Sequence, residues 1–153
     1  MEIAQLLDPK LVRFEMESQE KWGAINELID LLAAEKRVES RSKMLEAVRQ
    51  REAEVSTGVG FGIAIPHGIS DTVIQPSIAF GRSLKGIEYD SIDQKPVTLI
   101  FLLAIPKTKY DQDYLRTLAG LARMLVHKPV IEKLFTASTF EDVLEVFQSE
   151  KQR

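Results

Sequence analysis

Apolar residues recur along this chain with strand-like spacing in some segments and helical spacing in others. Residues 12–17 alternate apolar and charged side chains, which is typical of a half-buried strand. Residues 22–32 carry apolar side chains at helical spacing after Ser18, a suitable N-cap. The same reasoning predicts a helix from about Ser40 or Ser42 to Val55, strands at 61–66, 77–82 and 97–105, and helices over 115–126, from Pro129 and from Thr139.

The segment 97–105 is the most continuous apolar stretch of the chain. A strand with so few polar positions is expected where both faces of a sheet are covered. Helices both precede and follow the predicted strands. The pattern therefore predicts an α/β fold, with one sheet flanked by helices on both faces and one domain spanning residues 1–153.

Composition narrows the class of protein without naming an activity. Hydrophobic residues make up 44% of the chain and charged residues 28%, as in ordinary globular proteins. A net charge of −3 argues against nucleic-acid binding, and no apolar run is long enough to insert into a membrane. The first residues lack the basic and apolar regions of a signal peptide, and cysteine is absent. We therefore expect a cytoplasmic protein without disulfides or thiolate chemistry.

The segment 56–68 carries the strongest sign of chemistry. Ser56 and Thr57 supply hydroxyls, and Gly58 begins a glycine-rich run that allows backbone N–H groups to face an anion. His67 follows a proline, at the predicted exit of a strand, where its imidazole would be presented rigidly. The alternative is that the glycines only shape a loop which the hydroxyls cap. No lysine of a nucleotide-binding loop follows, which argues against nucleotide binding.

Arg51 falls on the apolar stripe of the predicted helix that leads into this segment. A charge facing the packed side needs an anion or a partner, and the planar guanidinium suits a phosphoryl group. The alternatives are that Arg51 extends past the core to water or pairs with Glu52 or Glu54.

The remaining titratable groups give weaker signals. His127 is predicted near a helix C-terminus, where a histidine stabilises the helix dipole, so we interpret it as structural. Two distant histidines and no cysteine argue against a histidine-rich metal site. Glu88, Asp90 and Asp93 are interpreted as a solvated turn between two strands, although paired carboxylates also serve acid–base catalysis.

The motif at 51–68 resembles the active segment of bacterial phosphotransferase system enzyme IIA domains of the mannitol, fructose and nitrogen-regulatory class. It reads Arg-Glu, then Ser-Thr-Gly-x-Gly-x-Gly-Ile-Ala-Ile-Pro-His-Gly, and the resemblance continues through residues 86–106 and 115–122. It implies a mixed sheet and a His67 that accepts a phosphoryl group from the phosphocarrier HPr or a homologue. His67 would pass that group to the IIB domain of a membrane sugar permease, and no cofactor or metal is needed.

One position departs from this family. The family places a second histidine at the head of a later helix, where this chain has Tyr114. Tyrosine can donate a neutral hydrogen bond to a phosphoryl oxygen but carries no imidazolium charge. The alternatives are a tyrosine packed at the helix edge, or a family member in which transfer is impaired and only binding persists.

Two further questions stay open in the sequence. Phe61, between two glycines, is either an exposed contact for partner proteins or the first core residue of a strand. The protein is either a carrier of the fructose or mannitol branch or a nitrogen-type regulatory module. In the second case, phosphorylation of His67 switches affinity for a target protein. The stretch 86–106 favours the sugar branch.

Overall fold

The computed structural model describes residues 2–109 and 112–151 of the chain. Within these residues six strands form one mixed sheet. The strands are β1 (Val12–Arg13), β2 (Gly58–Gly60), β3 (Ile63–Ala64), β4 (His67–Ser70), β5 (Ser77–Ile87) and β6 (Val97–Pro106). Strands β5 and β6 pair antiparallel at the centre. The order along the sheet is β1-β5-β6-β3-β2, and β4 pairs in parallel with the far half of β6.

Helices cover both faces of this sheet, as the sequence predicts. Leu99, Phe101 and Leu103 of β6 pack with the first and last three helices, whereas Ile100 and Leu102 pack with the second and third. This alternation is the two-residue period of a strand buried on both sides. The helices are α1 (Ile3–Leu6), α2 (Lys21–Ala34), α3 (Arg41–Glu52), α4 (Gln112–Met124), α5 (Lys128–Thr136) and α6 (Phe140–Lys151), with short 3₁₀ turns at Pro9–Leu11 and Lys107–Lys109.

The predicted strand at 61–66 is wrong in detail. The backbone instead forms a tight hairpin between β2 and β3, because Gly60, Phe61 and Gly62 all have positive φ, at 101°, 60° and 77°. That left-handed geometry suits glycine and ends extended structure. The predicted strand at 12–17 is also shorter, since only Val12–Arg13 pairs.

The expectation that Pro66 ends strand pairing before His67 is wrong as well. His67 opens β4 and lies opposite Leu103 of β6. Proline lacks an N–H, but its carbonyl still accepts a hydrogen bond from the Leu103 N–H at 3.0 Å. His67 is therefore held by a sheet ladder that continues beyond it.

Helix α3 packs directly against β4. A Cβ at Gly68 would lie 3.0 Å from both the Ala47 Cβ and the Met44 Cε, so a larger residue would have to displace these side chains. The Ser40 side chain accepts from the Lys43 N–H at the start of α3. The close contact brings the end of α3 beside the start of β4, where the residues predicted for the site lie.

Candidate active site

The His67 ring is fixed by one hydrogen bond. Its Nδ1 lies 3.0 Å from the carbonyl oxygen of Ile65. A carbonyl only accepts, so Nδ1 carries the proton and the neutral ring keeps its lone pair on Nε2. Burial is the main cause that lowers the pKa of His67, and the nearby charge of Arg51 lowers it further. The imidazole is therefore neutral at pH 7 and nucleophilic at Nε2.

Arg51 lies in the last turn of α3. Its Nη1 donates to the Val55 carbonyl at 2.8 Å, and its Nε lies 3.8 Å from a carboxylate oxygen of Glu54. The apolar stripe expected to continue to Val55 stops short, because α3 ends at Glu52 and Val55 is exposed. Five N–H groups exceed what these contacts use, so Arg51 can hold an anion while keeping both.

The glycine-rich run begins as a hydrogen-bonded turn. The Ser56 Oγ accepts from the Gly58 N–H at 3.1 Å, and the Gly58 carbonyl accepts from the Ile92 N–H at 2.9 Å. Ser56 is half-buried, while Gly58 is buried and pairs with Ala64 in the sheet. An anion at this turn would receive the Gly58 N–H only by exchanging its bond to Ser56.

Thr57 faces inward rather than toward an anion. Its side chain is buried, and its hydroxyl donates to a Glu52 carboxylate oxygen and lies 2.9 Å from the Tyr89 hydroxyl. The Thr57 hydroxyl is thus already engaged on the inner side of the loop. The physical reason is the buried Glu52 carboxylate, which needs donors.

Glu52 and its partners form a cluster that the sequence did not reveal. The Glu52 side chain is 2% exposed and lies 2.7 Å from Lys21 Nζ. Lys21 also lies over the Tyr89 ring, 4.9 Å from its centroid. The position of Glu52 next to Arg51 in the motif could have drawn attention to it. Its partners could not be found from the sequence, because Lys21 and Tyr89 lie 31 and 37 residues away along the chain.

Tyr114 reaches the site from the other side of the sheet. It lies in the first turn of α4 and is 2% exposed. Its ring centroid is 6.3 Å from that of His67, with the planes tilted by 59°. The structure therefore brings together His67 and the residue that stands where the family has its second histidine.

Phe61 is exposed, which decides one open question. Its side chain is 67% exposed at the tip of the β2–β3 hairpin, so it is not a core residue. The Phe61 N–H donates to the Asp93 carboxylate at 3.2 Å, which ties the tip to the β5–β6 connection. Glu88, Asp90 and Asp93 are all exposed in that connection, as expected of a solvated turn.

His127 lies away from this site. It is the N-cap residue of α5, and its side chain is exposed. Its N–H donates to the carbonyl of Met124, the last residue of α4. Within residues 2–109 and 112–151, no three histidine or acidic side chains are grouped to hold a metal ion. No helix in this part of the chain is long and apolar enough to cross a membrane.

Comparison with known proteins finds relatives that match this chain over most of its length. A relative from Haloferax volcanii, described as the fructose-specific EIIA component of the phosphotransferase system, is 40% identical over 145 residues, covering 95% of this chain and 94% of that protein. A fructose-specific EIIABC component from Bacillus subtilis is 34% identical, and the matched region covers 95% of this chain but 23% of that longer protein.

A solved structure extends the agreement to three dimensions. The nitrogen regulatory protein IIA-Ntr from Neisseria meningitidis superposes with a TM-score of 0.87 at 34% identity, covering 95% of this chain and 98% of that one. The family model for the phosphoenolpyruvate-dependent sugar phosphotransferase system, EIIA 2, matches residues 5–150. With the sequence motif, the fold and this match in agreement, the chain belongs to the EIIA type 2 family of the sugar phosphotransferase system.

Proposed function

We propose that this protein is a phosphoryl carrier whose acceptor atom is Nε2 of His67. The observation that carries the proposal is the hydrogen bond from His67 Nδ1 to the Ile65 carbonyl, which fixes the tautomer with a lone pair on Nε2. The lowered pKa keeps that lone pair available at neutral pH. HPr or a homologue is the proposed donor, and a IIB domain of a fructose- or mannitol-type permease is the proposed acceptor.

The chemical step is an in-line displacement at phosphorus. The Nε2 lone pair forms a P–N bond to His67, the bond from phosphorus to the donor breaks, and its electron pair leaves with the donor. The Nδ1 proton stays on the ring and is stabilised by the Ile65 carbonyl. Transfer to IIB repeats this step in the opposite sense. The protein supplies positioning and charge stabilisation, and the step needs no metal or nucleotide.

Three groups are proposed to hold the phosphoryl oxygens. Arg51 supplies a positive charge and planar donors close enough to affect the pKa of His67. The turn at Ser56 and Gly58 supplies a hydroxyl and an N–H that can exchange their mutual bond for the anion. Tyr114 supplies a neutral hydroxyl, on a ring whose centroid lies 6.3 Å from that of His67. For Thr57 we propose support of the loop from within, because its hydroxyl is engaged by Glu52.

Phe61 is the proposed anchor for partner proteins. An exposed aromatic ring on a hairpin tip is a common centre of a protein interface. Since both proposed partners are proteins that must reach His67, one surface around the hairpin would serve both in turn. We therefore propose that the carrier works in the cytoplasm, where HPr and IIB domains would meet it.

The relatives divide between two roles. The 40% identical fructose-specific EIIA component supports a carrier in sugar transport. The likeness to IIA-Ntr supports a second candidate, a regulatory module whose phosphorylation changes its affinity for a protein target. We place transport first because the match to the fructose-specific component has the higher identity, 40% against 34% for IIA-Ntr.

Incubation with phosphorylated HPr, followed by intact-mass measurement, tests the proposal. We expect the parent protein and the matched control His127→Gln to gain one phosphoryl group each, and His67→Gln to gain none. Phosphorylation of His67→Gln to the level of the parent would refute His67 as the acceptor. Adding purified fructose-type IIB then separates the two roles, because a transport carrier loses its phosphoryl group to IIB and a regulatory module retains it.

A further inference from the structure

The buried carboxylate of Glu52 lies behind the site, and it has no part in the proposed phosphoryl-transfer step. The Glu52 side chain is 2% exposed. One oxygen, Oε1, accepts from the Thr57 hydroxyl, and the other, Oε2, lies 3.3 Å from the Thr57 N–H and 2.7 Å from Lys21 Nζ. Burying a charge is costly unless it is paired and hydrogen-bonded, and here both conditions are met.

The donors around Glu52 have a defined direction. The Thr57 hydroxyl donates its single proton to Glu52, so the proton of the Tyr89 hydroxyl is directed to the Thr57 Oγ1, 2.9 Å away, and to Glu52 Oε1, 3.5 Å away. Burial and the charge of Glu52 raise the pKa of Tyr89 far above its usual value, so its hydroxyl keeps the proton it donates. Tyr89, Thr57 and Glu52 thus form a one-way chain of donors that ends at the carboxylate.

The chain of contacts continues from Thr57 to His67. The Thr57 carbonyl accepts from the Ile65 N–H at 3.0 Å. The Ile65 carbonyl, on the next peptide unit, accepts from His67 Nδ1 at 3.0 Å. One backbone hydrogen bond and one side-chain-to-backbone hydrogen bond therefore connect Thr57, which Glu52 holds, to the ring atom that sets the tautomer of His67.

We propose that Glu52 is a positioning residue for His67, which fixes the imidazole orientation and the Nδ1–H tautomer through Thr57 and Ile65. The inference rests on the proposed phosphorylation of His67 for its functional meaning, but the contacts exist without it. Glu52 never touches the phosphoryl group. It holds the loop from the inner side, while the preceding residue, Arg51, donates to the Val55 carbonyl and lies beside Glu54.

The carboxylate is better suited to this task than an amide would be. Both its oxygens accept, and together they receive the Thr57 hydroxyl, the Thr57 N–H and the Lys21 ammonium. Glutamine at this position would keep one accepting oxygen and turn an NH₂ group toward Lys21 or Thr57. One of the contacts that hold Thr57 would be lost, and the loop would gain freedom at the carbonyl that supports Ile65.

Nuclear magnetic resonance of the two ring nitrogens of His67, in protein without phosphate, tests the positioning directly. In the parent we expect Nδ1–H as the dominant tautomer. In Glu52→Gln we expect a reduced share of that tautomer and a lower pKa of His67, because the charges that act on this ring are Arg51, Glu52 and Glu54, and Glu52 raises its pKa. The matched control is Glu46→Gln, which removes the same charge from an exposed position on the same helix. The ring signals of His127, recorded in the same spectra, serve as the internal control.

Thr57→Val separates the effect of the lost hydrogen bond from the effect of the lost charge. It also provides a second test if Glu52→Gln does not fold. It removes the hydroxyl but keeps the side-chain shape, the Thr57 backbone and the negative charge of Glu52. We expect the tautomer population to shift as in Glu52→Gln, without the charge-driven fall in the pKa of His67. Unchanged tautomer signals in the folded forms of both variants would overturn the positioning role, even if both variants were less stable.

Kinetics give the second readout. We expect Glu52→Gln to lower the kcat of phosphorylation by HPr between about 10-fold and 100-fold, the cost of a misplaced reacting group, with little change in KM. Rate loss with an unaltered ring would assign Glu52 to some other role and overturn the proposal. If the parent itself gains no phosphoryl group, the proposed function fails, while the ring-nitrogen signals still decide whether Glu52 positions His67.

Discussion

The ring of Tyr114 lies with its centroid 6.3 Å from the ring of His67, so a phenol occupies the neighbourhood where the family carries a second imidazole. The two residues are 47 positions apart and reach each other because β4 and the first turn of α4 lie near one edge of the sheet. A phenol donates one neutral hydrogen bond and brings no charge at pH 7. If His67 is phosphorylated as proposed, we expect the phosphorylated state to depend more heavily on Arg51.

Tyr114→Phe is expected to slow phosphorylation of His67 by roughly fivefold to tenfold, the scale of one neutral hydrogen bond. The ring that packs against His67 is retained, so folding should be unaffected. Tyr114→His is the reciprocal variant, and we expect it to change the rate of transfer or the lifetime of phospho-His67. Stopped-flow phosphorylation and the decay of the phosphorylated protein measure the two effects. Identical kinetics in parent and both variants would place Tyr114 outside the mechanism.

Arg51→Gln is expected to slow phosphorylation by about 100-fold, the scale of losing one preorganised donor at a developing charge. The same variant should raise the pKa of His67, since the Arg51 charge lowers it in the parent. Arg49→Gln is the matched control, because Arg49 is on the same helix but lies over the Trp22 ring. We expect the slower phosphorylation and the higher pKa of His67 to occur together in Arg51→Gln, and neither change to occur in Arg49→Gln. Unaltered kinetics would contradict the role proposed for Arg51.

The sequence predicted the fold class because it depends on local patterns, and the same kind of pattern singled out His67 as the candidate reactive residue. The continuous apolar run along 97–105 indicates two covered faces, and the residues around His67 carry a specific motif. The hairpin at Phe61 was missed, because positive φ at a bulky residue depends on its neighbours, here two glycines and the Asp93 carboxylate. Likewise, the hydrogen bond from the Leu103 N–H to the Pro66 carbonyl could not be predicted, because it forms only when β6 lies beside Pro66.

The support behind the site could not be predicted for a related reason. Glu52 was visible only as a possible partner of Arg51, and its true partner Lys21 belongs to a different helix. Ion pairs between distant segments leave no periodic signal in one sequence. The inward orientation of Thr57 follows from that buried pair, so its predicted contact with phosphate could not be tested without the tertiary structure.

Stability should depend on pH through His67. The folded protein lowers the pKa of His67 below its ordinary value of 6.5, so the unfolded chain binds the proton more readily. The contribution of neutral His67 is complete above the unfolded pKa and is lost as pH falls through 6.5 toward the folded pKa. Urea unfolding at about pH 7.5 and about pH 5.5 should show a larger acid-induced loss in the parent than in His67→Gln. His127→Gln should behave like the parent, and equal losses in all three would contradict the shift.

We expect Arg82 to be the charged residue of β5 whose substitution lowers the stability most. Its Nη1 donates to the carbonyls of Leu134, Phe135 and Ala137 at 3.2, 3.0 and 2.6 Å, and so closes the C-terminus of α5. Arg82→Met keeps an apolar stem and should lower the free energy of unfolding by about 2 kcal/mol, the scale of hydrogen bonds from a charged donor. Lys85→Met, an exposed change on the same strand, should cost less than about 0.5 kcal/mol. Denaturant titration compares them, and equal losses would show that the α5 carbonyls are satisfied without Arg82.

Phe61→Asn tests the docking surface without disturbing the site. Asparagine tolerates the left-handed backbone at φ 60° better than phenylalanine does, and the ring it replaces is 67% exposed, so stability should be unchanged or higher. If Phe61 anchors HPr, the KM for phosphorylated HPr should rise by about tenfold or more, the scale of losing an aromatic hot spot, with kcat retained. Ile74→Asn is the control, because Ile74 is also exposed but follows the opposite end of β4. A fall in kcat with KM retained would assign Phe61 to the chemical step, and an unchanged KM would remove it from the interface.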